Sequence, residues 1–399
     1  MTEAMPGRRI ASVGVWSPAG SAREARPQAG IAHLLEHMLF KGTKRRSAFE
    51  IAAVLDAVGG DLNAFTDREH SCYHCTLLGE HLPRAVDVLS DMLFNSAVPD
   101  KELQTERAVV LGEIADFGDS PEDVVHDVVV ELLWPTHPLG RPIHGSERTV
   151  MAVSRDNILD YRDRWYAPGA LVLSAAGDVD HSEVVSLAER HAPSQSAPPP
   201  RLRPRAPKHA KGSRILPRDT EQAHLCVAVP AYGWRDDARF VDAIIAAALG
   251  TAPSSRLFQQ VRERRGLAYN VGAFHMPCEK TGLVALYAST MPDKITDVLR
   301  LFKREVDNIA RRGLRASELK RVQGFMLASV KMSMDSPASE ARRIGNSMLH
   351  AGRITEPDET IRGISAVTLD QVQERARELF DDGFATRAFA GPLEDKDIT

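Results

Sequence analysis

The chain has 399 residues, 43% of them hydrophobic, and a formal net charge of −4 with acidic and basic residues mixed along its length. That is enough chain for two domains of ordinary size, and so small and dispersed a charge points to neither nucleic acid nor a membrane surface as a partner. Four cysteines do not make a disulfide scaffold in a chain this long, and no apolar run has membrane-spanning or signal-peptide length, so a protein of the reducing cytoplasm is expected.

Residues 10–16 alternate like a half-buried strand. A Gly/Ser/Pro-containing loop, 17–29, leads into an apolar stretch from Gly30 to Thr43 that has the look of a buried helix, interrupted by His33, Glu36 and His37. Ser47 and Glu50 form a capping box for a second helix that ends at Gly59-Gly60. Residues 61–79 are expected as strands, and Pro83 opens a helix with Ala85, Val86, Leu89, Met92 and Leu93 inward. A long helix runs from about Asp100 to Phe117, mixed helical segments reach Trp165, and residues 170–176 make a short apolar strand ending at Gly177-Asp178. Residues 191–218, with Pro198-Pro199-Pro200 and the basic series Arg201, Arg203, Arg205, Lys208, Lys211, Arg214 and Arg218, read as a solvated Pro-rich connector.

After the connector the pattern begins again. Gly42 and Ser47 correspond to Gly250 and Ser255 at an offset of 208. Glu102-Leu103 and Asp119-Ser120-Pro121 correspond to Glu318-Leu319 and Asp335-Ser336-Pro337 at 216. Ala152-Val153, Asp156 and Gly177 correspond to Ala366-Val367, Asp370 and Gly391 at 214. Near-constant offsets over separate stretches mark a duplication. The expected fold is α+β: two homologous domains, 1–190 and 219–399, each a mixed or antiparallel sheet packed with helices, joined by the 191–218 connector.

The duplication is an internal control on the chemistry. His33, Glu36 and His37 map onto Val241, Ile244 and Ile245, and Glu106 and Glu113 onto Val322 and Ser329. A shared structural requirement would not produce that difference; a site present in only one half would. Four residues apart on a helix, His33 and His37 share a face. Glu106 and Glu113, seven apart, lie nearly on one line, flanking an apolar stripe where carboxylates need a cation or donors. Two histidines and a carboxylate are the ligand set of catalytic zinc in several peptidases. We assign His33, His37 and Glu113 as ligands of one Zn2+ per chain, Glu106 as steadying the site, and Glu36 as the general base for zinc-activated water.

The order His-x-x-Glu-His is the inverzincin signature. Here the sequence resembles the pitrilysin/insulinase family, in its short bacterial branch related to the mitochondrial processing peptidase. The resemblance runs through Ala32–Thr43, Asn63-Ala64-Phe65-Thr66, Glu106-Arg107 to Glu113, Leu139-Gly140-Arg141 with Ile143-His144-Gly145, Trp165-Tyr166-Ala167-Pro168 and Gly177-Asp178-Val179-Asp180. In the second half it continues in Ser254–Phe258 and from Arg262 through Gly266-Leu267-Ala268-Tyr269. It implies two αβ domains per subunit, subunits paired around a chamber, and cleavage of peptides or unfolded segments. It further implies substrate binding by strand addition at Asn63, Ala64 and Phe65, and Arg262 and Tyr269 as catalytic groups holding the substrate from the second domain. With metal motif and second-domain residues in one chain, a homodimer is expected.

Two departures stand out: only nine residues precede Ile10, which leaves the first sheet without the family's usual extra edge strand, and the Ala/Arg/Pro-rich loop 17–29 is expected to lack local order. Cys72 and Cys75, three apart in a strand, face opposite sides and are discounted as a metal pair, as are His126, His137, His144, His181, His275 and His350, which lack ligand spacing. The competing readings are a non-catalytic scaffold, which has no need of buried ligands, and one chain of a heterodimeric peptidase.

Overall fold

The structure is a computed structural model that describes residues 1–193 and 205–398; Pro198-Pro199-Pro200, Arg201 and Arg203 of the basic connector lie outside the described residues. The chain divides into two compact units: Met1–Ile114, Pro142–Arg203 and Val330–Glu356 form one, and Ala115–Arg141, Pro204–Ser329 and Pro357–Thr399 the other.

The first unit is built on five strands: β1 (Thr2–Ala4), β2 (Ile10–Ser17), β3 (Asp61–Thr66), β4 (Ser71–Leu78) and β5 (Val172–Gly177), in the order β1-β5-β2-β4-β3. Only β1 runs parallel to its neighbour, β5; the other pairings are antiparallel. So the few residues before Ile10 do supply an edge strand, through main-chain bonds that do not depend on side chains. On one face lie α1 (Ile31–Leu39), α2 (Ala48–Asp56) and α3 (Leu82–Asn95), whose Leu34, Leu35, Met38, Val86 and Leu89 share a core with Val13, Val15 and Tyr73. Ser47 caps α2 with the expected capping box. The opposite face of β2 and β5 is covered by the helix Pro337–Ala351. Hence β2 is buried along nearly its whole length instead of alternating, because it has helices on both sides.

That covering helix comes from the second half of the sequence. Its approach needs Gly345, where a Cβ would sit 2.1 Å from Trp16 Nε1. Its counterpart, α5 (Pro121–Leu133), follows α4 (Asp100–Asp119) and packs on the sheet of the second unit. Both start alike: Ser120 and Ser336 cap the backbone N–H of Asp123 and Ser339, with proline at the first helical position.

The second unit repeats the plan with β6 (Gly212–Pro217), β7 (Ala223–Ala231), β8 (Ala268–Pro277), β9 (Gly282–Thr290) and β10 (Thr386–Gly391), in the order β6-β10-β7-β9-β8. Residues 212–217, inside the segment read as connector, thus form a strand parallel to β10. Val241, Ile244 and Ile245, the counterparts of His33, Glu36 and His37, are core residues of the helix Arg239–Ala246. Two π-helical turns follow, Ala247–Thr251 and Phe258–Glu263. Among the described residues, no helix is long and apolar enough to cross a membrane.

Candidate metal centre

Helix α1 is apolar almost all round: Ile31, Ala32, Leu34, Leu35, Met38 and Leu39 are buried, leaving His33, Glu36 and His37 as its one polar stripe. Its start is fixed by backbone chemistry. Gly30 sits at φ +94°, and a Cβ there would come within 2.6 Å of the His144 carbonyl oxygen. The buried carboxylate of Glu24 then accepts from the N–H groups of Gly30 (2.8 Å) and Ala32 (2.9 Å), satisfying donors that a helix start leaves without intrahelical partners. Loop 17–29 is therefore ordered, as two 3-10 turns around that carboxylate.

Helix α4 brings the carboxylates. Glu113 Oε2 lies 3.7 Å from His33 Nε2 and 3.5 Å from His37 Nε2, and one ligand atom from each of the three residues falls within 4.8 Å of the others. These gaps exceed the roughly 2.7–3.2 Å of a hydrogen bond. Bonds of about 2.0–2.1 Å to one tetrahedral cation put ligand atoms roughly 3.4 Å apart. Among the described residues the buried His33 Nδ1 has no hydrogen-bond partner, so that imidazole is not held by their acceptors. Burial first, then His37 and His144, push the His33 pKa down to about 4, leaving a neutral imidazole at neutral pH. The set fits a zinc-like ion.

Glu106 does not join that set, because both its oxygens are engaged. Oε2 accepts from His37 Nδ1 at 3.1 Å, and Oε1 receives Lys41 Nζ at 2.7 Å. Glu36 is held from the sheet: Thr66 Oγ1 donates to Glu36 Oε2 at 2.5 Å and lies 3.1 Å from Ser71 Oγ. Burial raises the Glu36 pKa, while Thr66 and His37 oppose the rise and Glu113 adds to it. A carboxylate so placed, its proton affinity raised by burial, is suited to accepting a proton.

Strand β3 is the sheet's outer strand. Asn63 is exposed and its Oδ1 accepts from the Ala64 N–H at 2.8 Å. The Phe65 ring packs against Trp16 and His70, at 5.9 and 5.8 Å between centroids, on the face away from Thr66. In the second unit, Arg262 lies in the π-helical turn with its guanidinium 4.7 Å from the Phe258 ring centroid and 4.4 Å from that of Tyr269, which is 77% exposed. Cys72 and Cys75 are buried free thiols.

Three contributors escape the motif reading. Thr66 could be found from strand parity, since Leu62, Ala64 and Thr66 share a face and Leu62 and Ala64 pack on the core that includes α1. Glu24 carries no local signal, because its partners form only when the loop closes on Gly30. His144 has no ligand spacing in the sequence, yet it helps to lower the His33 pKa.

Residues 1–147 match the family model described as insulinase (peptidase family M16), and residues 152–325 that described as peptidase M16 inactive domain. An uncharacterized zinc protease of Streptomyces coelicolor is 37% identical over 404 residues, spanning 99% of this chain and 88% of the relative. Another, of Bacillus subtilis, is 35% identical over 380 residues, 95% of this chain and 93% of the relative. In fold, the chain is similar to a protease from Helicobacter pylori, with a TM-score of 0.90 at 18% identity over 98% of this chain and 96% of that one.

Proposed function

The chain belongs to the insulinase family of peptidases, family M16, and from that membership we propose that it is a zinc-dependent endopeptidase of peptides and unfolded segments. One observation carries the reading. His33, His37 and Glu113 converge on a common point, and the second copy of the fold has Val241, Ile245 and Ser329 at those positions.

In this reading His33, His37 and Glu113 hold one zinc per chain, and Glu106 fixes the His37 ring through Nδ1. Bound zinc supplies a Lewis acid and lowers the pKa of its water to about 7. Glu36, held by Thr66, accepts the proton of the attacking water and returns it to the leaving nitrogen. The outer edge of β3 offers main-chain groups at Asn63, Ala64 and Phe65 for strand addition, once Asn63 releases the Ala64 N–H. Arg262 and Tyr269, a half-buried guanidinium beside an exposed phenol, donate to substrate carbonyl oxygens. We further assign the protein to a homodimer in the cytoplasm, a reducing compartment that suits its four free thiols.

The test is zinc content together with cleavage of a quenched peptide library by native, Glu36→Gln and chelator-treated protein. Stoichiometric zinc is expected, with cleavage reduced on the order of 10²–10⁴-fold in Glu36→Gln. Metal-free protein, or unchanged cleavage in the variant, sinks the proposal. Solution mass tests the dimer.

A further inference from the structure

Lys41 lies two residues beyond the end of α1, and its Nζ lies 2.7 Å from Glu106 Oε1, with 30% of the lysine side chain and 4% of the glutamate side chain exposed. The other oxygen of Glu106 faces His37 Nδ1 at 3.1 Å. The contact could be a plain ion pair tying α1 to α4. The duplication argues otherwise, because at offsets of 208 and 216 Lys41 and Glu106 become Leu249 and Val322. Both of those are buried. The second copy of the fold therefore fills both positions with buried apolar residues, and the charged pair occurs where the two histidines occur.

We infer that Lys41 is a positioning residue for the metal centre. By engaging one oxygen of Glu106, it fixes the carboxylate so that the second oxygen accepts from His37 Nδ1–H and His37 Nε2 is left with a free lone pair facing Glu113 and His33. A carboxylate holding the far nitrogen of a ligand histidine sets its tautomer and its ring orientation. A carboxylate buried with only one donor would be free to rotate, and that orientation would be lost. The inference rests on the reading that His33, His37 and Glu113 hold zinc, but it assigns Lys41 a role that reading does not require.

The test measures zinc affinity of the full chain by chelator competition, and the His37 tautomer of the metal-free protein by ¹⁵N NMR, for native, Lys41→Met, Lys41→Arg, Glu106→Gln and the Lys41→Met/Glu106→Gln double variant. Lys41→Met is expected to weaken zinc binding about tenfold to a hundredfold and to populate both His37 tautomers. Lys41→Arg should restore both, and the double variant should be no weaker than Glu106→Gln alone. If Lys41→Met does not fold, Lys41→Gln takes its place with the same expectation. Native zinc affinity and a single native tautomer in the Lys41 variants overturn the inference while leaving the zinc reading standing. A native chain that binds no zinc overturns both.

Discussion

Thr66 Oγ1 donates to Glu36 Oε2 at 2.5 Å, so the carboxylate proposed as general base is held by the strand facing it and not by its own helix. The same hydroxyl lies 3.1 Å from Ser71 Oγ, which in turn donates to the Ala19 carbonyl at 2.7 Å.

Removing the hydroxyl should be visible as a pH effect. Burial already raises the Glu36 pKa and Thr66 opposes the rise, so Thr66→Val raises it further. More of the carboxylate is then protonated on the acid side, where a protonated group cannot accept from water. The acid limb of kcat/KM moves to higher pH, with a loss of about tenfold on that limb, as expected for losing a hydrogen bond to a charged group worth roughly 1.5 kcal/mol, and near-native activity on the alkaline plateau. Thr66→Ser should keep the native profile. A uniform loss at all pH values would mean that Thr66 acts through packing.

His33 makes the metal-free protein sensitive to acid. Its folded-state pKa is about 4, below the roughly 6.5 of an unfolded histidine. Between those values the unfolded chain binds the proton and the folded chain does not, so stability falls as pH drops through 6.5 towards 4. Integrated from pH 7 to pH 4.5, the group costs on the order of 2 kcal/mol. Urea unfolding of chelator-treated protein at the two pH values should show that difference, and His33→Gln should lack it. Zinc-loaded protein at neutral pH should resist unfolding beyond the chelated form, by mass action.

Glu24 should matter to a helix it does not belong to. Its two oxygens take the N–H groups of Gly30 and Ala32, and an alanine there leaves both buried without acceptors. Glu24→Ala is expected to cost about 2 kcal/mol in chemical unfolding of the metal-free chain. Zinc affinity should fall with it, since His33 sits one residue beyond Ala32. Glu24→Gln keeps one acceptor and should lose about half as much.

The sequence carried the duplication, most of the strands, the Ser47–Glu50 capping box and the polar stripe of α1, because these are local periodicities and cap signals. The apolar counterparts Val241, Ile244 and Ile245 showed in advance that the stripe is not a fold requirement, and their burial agrees. What stayed hidden depends on contacts between distant segments. Ser120-Pro121 and Ser336-Pro337 are matching helix starts, so the repeat alone does not say that the helix beginning at Pro337 covers β2 while α5 covers β7 and β10. The clue was Gly345, a helix-interior glycine that makes sense only once Trp16 is seen against it. Strands β1 and β6 escaped for another reason: both are edge strands paired on one side, and such pairing tolerates almost any sequence.

Phe258 offers the last prediction, in the second unit. It lies in a π-helical turn with Arg262 four residues on, and the guanidinium stacks between the Phe258 and Tyr269 rings at 4.7 and 4.4 Å. A π-turn shifts side chains away from ordinary helical spacing and is often found at functional sites, and each cation–π contact at such an exposure is worth roughly 0.5–1 kcal/mol. Phe258→Leu keeps an apolar side chain but removes the ring, so Arg262 gains rotational freedom without losing its charge. If Arg262 donates to the substrate carbonyl during reaction, kcat should fall about fivefold with KM and zinc content little changed, and Phe258→Tyr should restore it. Arg262→Lys, which keeps the charge but loses the flat stacking surface, should resemble Phe258→Leu. A combined variant should then be no worse than Arg262→Lys alone. Independent, multiplying losses would show that Phe258 serves the fold of the turn and not the aim of the guanidinium.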